Sequence, residues 1–179
     1  MPQQRRSGTG PVSENLKSSR IHTPGCPWDY TDACKAELLE LKSIDADAYE
    51  VLVALILDAV EIGLDAEENG GSTYRVPVGQ AVDQRRHFSR KPMPWLGELK
   101  VESTHGRKPQ DFRLYFLETT AASGEETTLI LGSSLPIAGK GVAGEYDKDQ
   151  QTEHMRDAMW RGIHWCDKHE PMRYWRTWD

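Results

Sequence analysis

The 179 residues carry a formal net charge of −6 and are only 37% hydrophobic, which suits one domain with solvated margins rather than a core running from end to end. No apolar run approaches the ~18 residues of a membrane span, and the longest, 51–60, is interrupted by Asp58. Three cysteines make no disulfide framework, and the N-terminus holds no apolar leader segment, so the expected setting is the reducing cytoplasm, with no membrane partner.

Residues 1–25 are rich in Ser, Pro, Gly and Gln and predict a flexible, basic N-terminal segment. Asp29 and Thr31 are helix-capping residues, and Tyr30, Cys34, Leu38 and Leu41 then recur at helical spacing, predicting a helix over 31–42. Asp45 offers a second cap. Behind it Tyr49, Leu52, Val53, Ile56, Leu57, Val60 and Leu64 form one stripe of a helix over 46–64. The short link makes the pair an antiparallel hairpin, and its many carboxylates fall off the stripe as a solvated acidic face.

An Asn-Gly-Gly stop follows at 69–71, and 74–78 reads as a strand that Pro77 confines to a sheet edge. Residues 84–91 hold four basic side chains with His87 and Phe88 among them. That mix fits a phosphate-binding loop with a stacking ring, and equally an irregular surface excursion. Three apolar runs, 96–101, 112–117 and 127–131, are separated by Gly-, Pro-, Ser- and Thr-containing links and predict a three-stranded antiparallel meander. Gly139–Gly144 matches G-x-G-x-x-G in letters alone, because Pro136 and its neighbours part the glycines from any strand. A last helix is predicted over 147–168, followed by an aromatic tail, 170–179.

Charge is uneven along the chain. Residues 26–70 hold two basic and twelve acidic side chains, whereas 71–118 hold nine basic and five acidic. A polyanion responds to the nearby field more than to the total charge, so the meander region is where one would bind. Strand alternation puts Leu114 and Phe116 on the core side of the second run and Arg113 and Tyr115 on the other. In the first run Lys100 falls opposite Leu99 and Val101. A Lys–Arg–Tyr face of this kind can hold a phosphodiester and stabilise the charge that develops on cleavage by a neighbouring 2′-hydroxyl. The same pattern also fits an ordinary polar sheet face with Arg113 paired to Glu98 or Glu102. No metal is expected: His164, Cys166 and His169 lack a C-x-x-C partner pair, and helical spacing puts His164 and Cys166 on different faces. No cofactor is expected either.

The order helix, helix, meander, helix, with Trp95-Leu96-Gly97-Glu98-Leu99-Lys100-Val101, Arg113-Leu114-Tyr115-Phe116, the 129–132 strand and Gln151 leading into a helix with Ala158 and Arg161, resembles the RelE/ParE toxin superfamily. The likeness is to its HigB, or phage Gp49-like, branch, and spans roughly residues 30–167. It implies an α+β domain over 26–169, a helical hairpin packed on a small antiparallel sheet of three to four strands with a C-terminal helix. It also implies a toxin that cuts messenger RNA on the ribosome without a metal and is restrained by a cognate antitoxin. The alternative on the same scaffold is a non-catalytic binding protein, a gyrase inhibitor or a phage or prophage protein acting by contact. Carried over by position, Arg113, Lys100, Tyr146 and His154 become catalytic candidates, and Arg107, Lys108, Tyr115 and Lys140 RNA-binding ones. The chain departs from the family in having Ser133-Ser134-Leu135-Pro136 where paired basic residues follow the last strand, and in being longer and more acidic.

Overall fold

A computed structural model describes residues 18–22, 24–64, 74–103, 110–121, 128–137 and 148–178. The fold is α+β, and the strands form one mixed sheet. A short strand β1 (Trp28–Tyr30) leads into α1 (Asp32–Ile44) and α2 (Ala46–Ile62). Then come β2 (Tyr74–Val78), a one-turn α3 (Gln84–Phe88), β3 (Leu96–Ser103), β4 (Gln110–Ala121), β5 (Thr128–Ser134), α4 (Lys148–Lys168) and β6 (Arg173–Trp175). The predicted meander is the sheet's centre, β3–β4–β5, antiparallel throughout. β2 extends it along β3 as the edge strand that Pro77 required, and β1 lies parallel to β5 on the opposite edge. The aromatic tail joins the sheet as well, because β6 pairs with the far end of β4.

Local chemistry sets the helix ends. Thr31 caps α1 by accepting from the Cys34 amide at 3.2 Å. Asp45 closes α1 through its own amide and caps α2 by accepting from the Ala48 amide at 3.0 Å, so a single residue makes the hairpin turn. Its other carboxylate oxygen accepts from the Ser103 hydroxyl and ties the turn to the end of β3.

Both faces of the sheet are covered. Leu99, Val101, Phe112, Leu114 and Phe116 pack beneath Leu41, Leu52 and Ile56 of the helical hairpin. On the other face Leu96, Tyr115 and Leu117 meet Met155, Met159 and Ile163 of α4, with Phe88 beside them. Close approach of α4 depends on Gly162, where a Cβ would stand 2.5 Å from a Leu117 methyl. Part of the expected flexible N-terminal segment is docked: Ser19 and Ile21 are buried, and Ser19 donates to Glu118 in mid-β4. The opposite terminus reaches the same point, since Arg176 donates to Glu118 at 3.0 Å while lying 4.1 Å from the Trp95 ring centre.

Candidate functional site

The meander's outward face differs from its expected form at one position. Leu114 and Phe116 face the hairpin as alternation required. Tyr115 does turn to the opposite face, but α4 lies over that face, and Tyr115 is 0% exposed. The expectation that it points to solvent or ligand is corrected by a layer that strand alternation cannot foresee. A polar strand face becomes core once a helix is laid across it.

Beyond the reach of α4, the same face ends in a charged cluster. Lys100 stands directly opposite Arg113 in the β3–β4 register. Arg113 donates to Glu98, itself fully buried, at 2.7 Å and to Asp111 at 3.3 Å. Lys100 lies 3.8 Å from both Glu102 and Asp111. Two cations therefore meet three carboxylates, with the side chains of Lys100 and Arg113 only 16% and 11% exposed. A phosphate arriving here would have to displace those carboxylates and leave Glu98 buried beside it, a cost of several kcal/mol.

His154 belongs to another set of neighbours. It lies half-buried on α4, where burial holds its imidazole below the ordinary 6.5, with Arg161 reinforcing that shift and Asp157, Glu37 and Glu153 opposing it. Glu37 of α1 and Arg161 of α4 are the centre of this second group. Arg161 donates to Glu37 at 2.7 Å and to the Ser134 hydroxyl at 3.0 Å, and the second Glu37 oxygen accepts from the Leu135 amide at 2.7 Å. The group joins α1, the end of β5 and α4. Neither Glu37 nor Ser134 stands out in the sequence, because 124 residues separate Glu37 from Arg161 and Glu37 reads there as one more acidic group of an amphipathic helix. Tyr146, Arg107, Lys108 and Lys140 lie outside the described residues.

Next to Arg161 a shallow cleft of about 550 Å³ opens between the start of α1 and the C-terminal half of α4. Thr31 and Asp32 line one side, and His164, Trp165, Lys168, His169 and Glu170 the other. Cys166 is buried while His164 is exposed on the same helix, which keeps them apart as ligands. Among the described residues no group of three or more His, Cys, Asp or Glu side chains is placed to hold a metal ion. Burial pushes the Cys166 thiol up to about 12 and the Cys26 thiol to about 11, leaving neither suited to nucleophilic work. No helix among the described residues is long and apolar enough to cross a membrane. Compared with family models, curated proteins and solved structures, the chain matches none.

Proposed function

We propose that this chain acts by contact, as a non-catalytic binding protein on an α+β scaffold whose element order resembles that of the RelE/ParE toxins. One observation carries the reading: the two cations at the end of the β3–β4 ladder are held by Glu98, Asp111 and Glu102. A phosphodiester-cleaving site needs such cations directed at the reacting group, with an acid or base within reach of the same atom. Arg113 serves instead to let Glu98 be buried, Lys100 lies against Glu102 and Asp111, and His154 sits among Glu37, Arg161 and Asp157.

The second reading is the metal-independent endoribonuclease, acting on messenger RNA at the ribosome and held by an antitoxin. It draws support from His154, whose lowered pKa keeps the imidazole neutral near physiological pH, the state a general base requires. Induction in bacterial cells separates the two. Under the contact reading, wild type and a Glu98→Gln/Arg113→Gln variant, which exchanges the ion pair for neutral amides, leave the messenger RNA 5′ ends of uninduced cells. New 5′ ends with wild type that vanish in the variant would establish cleavage and overturn the contact reading.

A further inference from the structure

We propose that the α3 turn and the adjoining ridge of α4 form a binding track for single-stranded nucleic acid. This deepens the contact reading by naming a partner class, and it uses a surface separate from the end of the β3–β4 ladder.

Among the described residues the α3 turn carries a concentrated group of positive side chains in an acidic chain. Arg85, Arg86 and Arg90 are exposed, and none makes an ion pair among the described residues. Among the described residues Asp83 is the carboxylate beside them, and it caps the turn, accepting from the Arg85 and Arg86 amides at 2.9 and 3.0 Å. The turn is also held in place. Gln84 donates to the carbonyls of Phe88 and Lys91 and accepts from the Met93 amide at 3.0 Å, closing the loop on itself. Phe88 is buried and stacks on Trp160 of α4 at 5.1 Å, and Lys91 bonds Asp167 at 2.6 Å. A surface excursion with no role has little physical need of three cross-links behind three unpaired arginines. Here those links present the guanidinium groups from a fixed base, which lowers the ordering cost of binding.

Aromatic groups continue the surface. The Trp160 ring lies 5.7 Å from that of His164, and His164 in turn lines the cleft that holds Trp165 and Lys168. Phosphate-binding cations followed by half-exposed rings are the two components of sequence-tolerant single-strand binding, where the charges follow the backbone and the rings stack on bases. A duplex keeps its bases paired and offers nothing to the rings. On the ridge itself Asp157 and Glu153 pair with Arg156, and Asp167 with Lys91, while Asp32 and Glu170 place two exposed carboxylates in the lining of the cleft.

The test is fluorescence anisotropy with labelled oligouridylate and oligothymidylate, titrated with the full chain across a range of salt concentrations. Both are expected to bind, with the two arms showing whether RNA or DNA is preferred, and a chain of abasic phosphodiesters is expected to bind less well. The Arg85→Ser/Arg86→Ser/Arg90→Ser variant alters exposed side chains only and is expected to keep the wild-type melting temperature. It should lose at least about tenfold in affinity and flatten the log–log salt slope by about 2, from three phosphate contacts on a single strand. Lys42→Ser, which removes exposed charge from the hairpin face, should leave binding unchanged. Binding that the triple arginine variant retains, or abasic and duplex probes bound as tightly as the single strands, would overturn the track. Cutting of the bound oligomer would overturn the contact reading instead, while binding lost in the triple variant would still support the track.

Discussion

Replacing Arg176 with Leu tests how the two chain ends are fastened to the sheet. Arg176 and Glu118 form an ion pair at 3.0 Å whose side chains are 3% and 2% exposed. A surface pair would contribute at most ~1 kcal/mol, but removing one partner of a buried pair leaves an uncompensated charge and costs about 3–5 kcal/mol. The same guanidinium donates to the Ser18 carbonyl at 3.0 Å and lies against Trp95, so the substitution also loosens the N-terminal segment. With a melting temperature that moves ~2–4 °C per kcal/mol at this size, Arg176→Leu should melt roughly 10 °C lower. Glu118 also accepts from the Ser19 hydroxyl and from the Arg20 amide at 3.0 Å, so it cannot simply be made apolar. Glu118→Gln/Arg176→Leu keeps an acceptor for those donors while removing the charge, and should recover part of the loss. Urea and thermal unfolding of the wild type, both single variants and the double variant form the cycle. A loss under ~1 kcal/mol for Arg176→Leu, or a double variant no more stable than that single one, would show that the pair is not the desolvated clasp described here.

Two further predictions concern packing and pH. A Cβ at Gly97 would stand 2.2 Å from the Phe116 ring, which is wedged among Trp28, Tyr74 and Trp95 with centroids at 5.5, 6.4 and 6.3 Å. Gly97→Ala should therefore cost ~3 kcal/mol in urea unfolding, and Phe116→Leu in the same chain should lessen that cost. A cost near zero would mean that the ring can move aside. For His154, burial lowers the folded pKa, so the unfolded chain takes the proton first as pH falls. Its contribution to stability is complete above the ordinary 6.5 and is lost as pH drops from there through the folded value. His154→Gln should flatten the fall of melting temperature with acidification in that window, and an unchanged slope would refute the assignment.

Periodicity alone located the secondary structure that matters most. The capped stripes of α1 and α2, the alternating runs of β3 to β5 and the edge position of β2 each follow from a pattern contained within a few residues, and that pattern survives folding because it is local. The face assignment of β4 followed in the same way, with Leu114 and Phe116 on one side and Arg113 and Tyr115 on the other. What lies opposite each face is not local information. Only the tertiary structure put α4 across Tyr115, turned the aromatic tail into β6, and brought Arg176 and Ser19 together on Glu118. The basic character of Lys100 and Arg113 was legible from their letters. Their occupation by Glu98, Asp111 and Glu102 depends on strand register and on the depth at which Glu98 is buried. Charge is a property of a residue, whereas its availability to a ligand is a property of everything packed around it.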